Sequence, residues 1–202
     1  VISCDALIEG LLRHIDRYCE TSGLAEGTCG ALHSAETLSH AERITQAVSA
    51  LEGATVLRDG HPYTHSVYPE ARVMTPLLIR VPHEDRALAQ EERFGPISFI
   101  LIAPNREVAL RCATSDAQHF GAIASYAYTT DTKWMKALEE SFALAGASLG
   151  LNLHLQRPIN FTAAFSDYHV TGLNPAGNAC LTDPAFVSRR FRIVQVKRER
   201  LM

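Results

Sequence analysis

Long apolar runs are missing from this 202-residue chain. The longest, Ile97 to Ala103, is interrupted by Ser98. It falls far short of the ~20 residues that a membrane-spanning helix needs, so no membrane partner is expected. The first residues lack the basic stretch and apolar core of a secretory signal. Cysteine is sparse and odd in number: Cys4, Cys19, Cys29, Cys112 and Cys180 form no CxxC pair. Neither a disulfide framework nor a thiolate zinc site is implied, and reduced thiols in a cytoplasmic protein are the simplest reading. No P-loop, G-x-G-x-x-G or G-x-S-x-G is present, and there are no repeats or low-complexity tracts. His61 and His65 have helical metal-ligand spacing, but Pro62 lies between them and the region reads as extended. With His83 they are read as surface histidines, and no metal is expected.

A large charge excess is also lacking: 19 Lys and Arg stand against 22 Asp and Glu, a net charge of −3. The total hides an asymmetry. The tail 188–202 sets six cations against Glu199, a local +5, which leaves −8 on the remainder. A tail this short on so acidic a body does not make a nucleic-acid-binding protein. The apolar fraction of 47% suits a globular fold, and the length is enough for a core without staples.

What is present reads as α/β. Residues 4–20 form an amphipathic helix with Ser3 as N-cap and Ile8, Leu12, Ile15 and Cys19 on one stripe. A second helix is predicted over 40–52, opened by the capping box Ser39-His40-Ala41-Glu42 and ended by Gly53. Ala54–Leu57 and Val73–Val81 read as strands, the latter broken by Pro76, and His61-Pro62-Tyr63 as a turn. Ile97–Ile102 reads as a strand buried on both faces. Pro104-Asn105 then opens a helix containing Val108 and Cys112, Ala122–Tyr128 is a strand, and Thr130-Asp131 caps a helix ended by Gly146. Leu149–Leu155 is the next strand. Strand, helix, strand, helix, strand with short links predicts a parallel sheet with right-handed crossovers. Residues 1–157 are read as this domain. Residues 158–202 are read as an irregular segment ending in the strand Phe191–Val196, which could pair with another chain.

One short segment carries chemistry. Glu91-Glu92-Arg93-Phe94-Gly95-Pro96 stands at the mouth of strand 97–102. Glu92 could accept hydrogen bonds from a sugar diol, Phe94 could lie against a flat ring, and Gly-Pro turns the chain into the sheet. On these residues alone, a solvated loop acid and a core phenylalanine fit equally well.

Glu92-Arg93-Phe94-Gly95-Pro96 resembles the E-x-F-G-P motif of the aldehyde dehydrogenase superfamily. Ser115–Ala124 resembles its N-x-x-x-Y-G-L-A-A stretch, Thr129-Thr130-Asp131 its T-x-D helix opening, and Ala147–Asn152 its G-T-V-W-V-N strand. Ala164–Gly172 resembles P-F-G-G-x-K-x-S-G, with Ser166-Asp167 in place of Gly-Gly and His169 in place of the lysine. Phe191–Lys197 resembles the closing oligomerisation strand. The ending Leu181–Val187 with Arg190-Phe191-Arg192 is similar to the aldehyde dehydrogenases of phenylacetic acid degradation.

The resemblance implies the parallel, doubly wound sheet of that family's catalytic domain, with an oligomerisation strand at the end. It implies NAD or NADP as cofactor and an aldehyde as substrate, with a CoA-linked semialdehyde from ring opening as the candidate. Glu92 would bind the nicotinamide ribose, Phe94 would flank the nicotinamide, and Phe165 would line the aldehyde pocket. A homo-oligomer would form through Phe191–Val196. The nucleophilic cysteine is expected upstream of Val1, together with the general base, the oxyanion-hole asparagine and the dinucleotide-binding domain. Cys4 stands at a helix start, but no G-Q-x-C precedes it, and Gly27-Thr28-Cys29-Gly30 lies after that helix and too close to Glu92. No catalytic residue is therefore assigned in this chain. The chain reads as the C-terminal part of a dehydrogenase, inactive alone. The alternative is a non-enzymatic assembly module pairing through 191–196.

Overall fold

The computed structural model describes residues 3–21, 30–65, 67–91, 93–122, 125–147 and 149–153, and the backbone of 196–198. The chain divides into two compact units, Val1–Pro104 and Asn105–Met202.

In the first unit, helix α1 spans Cys4–Thr21. The Ala6 N–H donates to Ser3 Oγ at 3.2 Å, the cap expected from sequence. Ile8 and Cys19 are buried, and Leu12 and Ile15 are half-buried. Helix α2 covers Glu36–Ser49, and its start corrects the sequence reading. Ser39 lies inside the helix rather than at its cap. The Glu36 N–H instead donates to Ser34 Oγ at 3.0 Å, one turn earlier. Gly53 comes three residues after the actual C-cap, Ala50.

Strands β1 (Thr55–Arg58), β4 (Leu77–Pro82) and β5 (Ile97–Ile102) form a sheet in the order β1-β4-β5. β1 runs antiparallel to β4, and β4 runs parallel to β5 with Leu77 opposite Ile97 and Pro82 opposite Ile102. A second pair, β2 (Pro62–Tyr63) and β3 (Val73–Met74), is antiparallel. Pro62-Tyr63, expected as turn material, is thus a short strand. Pro76 separates β3 from β4, as its missing N–H requires.

The buried strand is β4, not β5. Leu77, Ile79 and Val81 have no exposed surface, whereas β5 is only partly covered and Leu101 is 36% exposed. The cause is position: β4 has a neighbour on both sides, while among the described residues β5 pairs with β4 alone. Ala41, Ile44 and Val48 of α2 pack on Met74, Leu77, Ile79 and Val81 to make the core of this unit. Each such large side chain contributes about 1.5–3 kcal/mol on burial.

In the second unit, α4 (Arg106–Phe120) opens at Asn105, whose side chain accepts from the Val108 N–H at 2.8 Å. Helix α5 (Thr132–Ala145) opens at Asp131, which accepts from the Lys133 and Trp134 N–H groups. It closes at Gly146, whose φ of 74° is the left-handed cap that glycine takes without strain. Strands β6 (Ser125–Ala127), β7 (Leu149–Leu151) and β8 (Val196–Arg198) form a parallel sheet in that order. Met135, Leu138 and Phe142 of α5 pack on Ala147, Leu149 and Leu151.

The α/β class with parallel pairing agrees with the sequence reading; the antiparallel β1 is an addition to it. β8 begins where the expected strand 191–196 ends and lies on β7 of its own chain. Residues 191–195 lie outside the described residues. Among the described residues no helix is long and apolar enough to cross a membrane.

Candidate functional site

The segment between α3 (Ala87–Gln90) and β5 carries the E-x-F-G-P residues. Its backbone is fixed from four sides. The Leu77 N–H donates to Pro96 O at 2.8 Å, joining the segment to the start of β4. The Ile97 N–H turns back to Gly95 O at 2.8 Å, a three-residue turn centred on Pro96. Arg93 holds the other end. Its side chain is 7% exposed, donating from one guanidinium nitrogen to Leu88 O (2.7 Å) and Glu91 O (2.8 Å), and from the other to Glu91 Oε2 (2.7 Å). The same guanidinium lies 5.6 Å from the Phe99 ring centre. Arg93 occupies the variable position of the motif, which is why the sequence reading passed over it.

Thr37 of α2 supplies the fourth hold. Its hydroxyl donates to Phe94 O at 2.8 Å. Its methyl occupies the space beside Gly95, where an added Cβ would stand 2.4 Å from Thr37 Cγ2. Glycine is required here by close approach, not by its φ. Thr37 and Phe94 are 57 residues apart, and no local sequence signal joins them.

On this fixed backbone the Phe94 side chain is 74% exposed. A phenylalanine left in water forgoes most of the ~1.5–3 kcal/mol that burial would give it. A flat apolar face on a rigid turn is a surface against which a planar ring can lie. Glu92 and Phe165, the other two expected site residues, lie outside the described residues.

The second unit shows how the T-x-D and G-T-V-W-V-N stretches meet. Asn152, just after β7, has φ 53°, a conformation in which asparagine is among the few tolerated residues. Its side chain accepts from the Thr129 N–H at 2.8 Å and donates to Thr129 O at 2.9 Å. This pair fixes the turn that leads to the Asp131 cap. Arg106 donates to Asp131 Oδ2 at 2.9 Å and to Glu107 Oε1 at 3.0 Å, and its guanidinium lies 4.4 Å from the Trp134 ring centre. The Arg106 hydrogen bond, then the Trp134 N–H, holds the Asp131 carboxyl below its ordinary range. Glu107 is lowered by its own backbone N–H and then by Arg106. These charges are solvent-exposed and serve the helix starts.

The expected histidine reading needs one correction. His65 is buried, not on the surface. Its Nδ1 accepts from the Val67 and Tyr68 N–H groups at 3.2 and 3.1 Å. A ring nitrogen engaged in this way is closed to a cation. His61 Nδ1 lies 3.3 Å from Thr75 Oγ1, and His83 pairs with Glu84 at 2.9 Å. Among the described residues no group of three His, Cys, Asp or Glu side chains is placed to hold a metal. Of the described cysteines, Cys19 is buried, Cys112 is half-buried and Cys4 is exposed.

Comparison with known proteins bears on these features. The model of the aldehyde dehydrogenase family matches residues 4–165. An aldehyde dehydrogenase-like protein of Schizosaccharomyces pombe is 34% identical over 94 residues, covering 46% of this chain and 18% of that protein. The crystal structure of an NAD-dependent aldehyde dehydrogenase from Burkholderia multivorans superposes with a TM-score of 0.59 at 33% identity, covering 82% of this chain and 28% of that one. The chain thus spans less than a third of the length of these relatives. With the family model matching four-fifths of the chain, including the E-x-F-G-P segment, the chain belongs to the aldehyde dehydrogenase family.

Proposed function

We propose that this chain is the C-terminal part of an NAD(P)-dependent aldehyde dehydrogenase, a protein that oxidises an aldehyde to the acid. The observation that carries the reading is Phe94, whose exposed ring stands on a backbone held by Thr37, Arg93, Leu77 and the Pro96 turn. Phe94 lies against the nicotinamide, Glu92 binds the ribose hydroxyls, and Phe165 lines the aldehyde pocket. When bound, the nicotinamide cofactor accepts the hydride of the oxidation. The residues of this chain orient it and exclude water from one face.

The nucleophilic thiolate and the dinucleotide-binding domain come from polypeptide upstream of Val1, in keeping with the 18% and 28% shares of the relatives that this chain spans. The chain alone is therefore inactive. The substrate is an aldehyde, and the similarity of the ending to the phenylacetate-degrading members makes it a CoA-linked semialdehyde. Two copies join by strand pairing through Phe191–Val196, a reading that rests on the resemblance of this segment to the family's closing strand.

The test compares the 202-residue chain with the polypeptide read from its upstream coding sequence. The longer protein should reduce NAD or NADP with an aldehyde, and Phe94→Ala should lower kcat/KM for the cofactor by about tenfold, near the 1.4 kcal/mol that defines a decade. The chain alone should form no NADH and show no tight NAD binding by calorimetry. Enzyme-level turnover by the chain alone would overturn the reading.

A further inference from the structure

We propose that Thr37 is a positioning residue for the cofactor-facing loop, its hydroxyl fixing the peptide from which the Phe94 ring is presented. The inference rests on the reading of Phe94 given above.

Four residues of α2 are buried: Thr37, Ala41, Ile44 and Val48. They recur at helical spacing on one face, and three of them are apolar. Of these four, Thr37 alone carries a hydroxyl, and it is 7% exposed. A valine would fill the same volume without desolvating an oxygen. The hydroxyl is compensated by the 2.8 Å bond to Phe94 O.

The other holds on the loop act on Leu88, Glu91, Gly95 and Pro96. The Thr37 bond acts on the Phe94 carbonyl itself. Its methyl packs beside Gly95, and Thr37→Ser, which lacks that methyl but keeps the hydroxyl, separates packing from the hydrogen bond. With the Phe94 peptide held, the ring keeps only its own side-chain torsions as freedom. Removing the hydroxyl while keeping the shape leaves the loop in place but frees that peptide to rotate.

The experiment has two arms, with Thr37→Val and Thr37→Ser made in each. In the 202-residue chain, the Phe94 carbonyl carbon resonance is followed by NMR. Thr37→Val should shift it to the value of an unbonded carbonyl, and Thr37→Ser should restore it; an unchanged resonance in Thr37→Val overturns the proposal. In the longer polypeptide, steady-state kinetics are measured with NAD and an aldehyde. Thr37→Val should lower kcat/KM for NAD by about threefold to tenfold, the loss of one ordinary hydrogen bond. The KM for the aldehyde should be unchanged, and Thr37→Ser should return within twofold of the original. Equal loss for both substrates, or no rescue by serine, reduces Thr37 to a packing residue and overturns the proposal. If the unsubstituted longer protein uses no nicotinamide cofactor, the Phe94 reading fails instead, and the carbonyl resonance alone decides whether Thr37 fixes the peptide.

Discussion

A methyl group added at Gly95 has no room, because Thr37 Cγ2 stands 2.4 Å from where its Cβ would be. Gly95→Ala should destabilise the chain by about 1–3 kcal/mol, the usual range for overpacking, as measured by urea denaturation. Combining it with Thr37→Ala should cost less than the two changes summed, since the second removes the obstructing methyl. Asn152 offers a second contrast. Alanine there loses both bonds to Thr129 and must hold φ near 53°, whereas glycine loses the bonds alone. Asn152→Ala should therefore be less stable than Asn152→Gly by roughly 1 kcal/mol in the same assay. At this scale the sequence disclosed the chemical residues but not their supports. Phe94 and Gly95 are legible because the motif has fixed spacing. Thr37 and Arg93 are not, because one contact spans 57 positions and the other sits where the motif leaves the residue free.

Helix starts and strand burial show what local pattern can and cannot settle. The helices open at the expected dipeptides Pro104-Asn105 and Thr130-Asp131, and in each the second residue is the N-cap. The expected start of α2 is late by one turn: the Ser39 capping box lies inside the helix, and Ser34 Oγ accepts from the Glu36 N–H. For β4 and β5 the error has another source. Both are apolar six-residue strands, and only sheet order tells which is central. The Asp131 cap carries a pH dependence. Its carboxyl is held low in the folded chain by Arg106 and the α5 N–H groups, so its contribution is complete above the unfolded value, near 3.8. It is lost as the pH falls through the lower folded value. Melting temperature should thus drop as pH is lowered below about 4. Asp131→Asn, which keeps an acceptor but no charge, should flatten part of that slope. Glu107, lowered in the same sense, should leave the remainder.

At the scale of the molecule, the alternation of strands and helices from Ile97 onward disclosed the α/β class, while the partition into units at Pro104 had no local signature. Pro104-Asn105 reads simply as a helix opening, and a unit boundary is a property of the contacts on either side of it. The partner of the last strand is a question of the same kind. β8 pairs with β7 from Leu149↔Val196 to Leu151↔Arg198, and nothing in that register distinguishes the chain's own strand from a second copy's. Exchange between copies keeps every ladder bond and costs only the entropy of association, so it should rise with protein concentration. Light scattering after size exclusion should show a dimer that grows from micromolar protein upward. Successive N–H groups of a strand point to opposite edges, so of Val196→Pro and Lys197→Pro one removes a bond to β7 and the other does not. One of the two should abolish the dimer and the other should leave most of it. A chain that stays monomeric at every concentration, or two variants with the same effect, would mean that the tail does not join copies through this ladder.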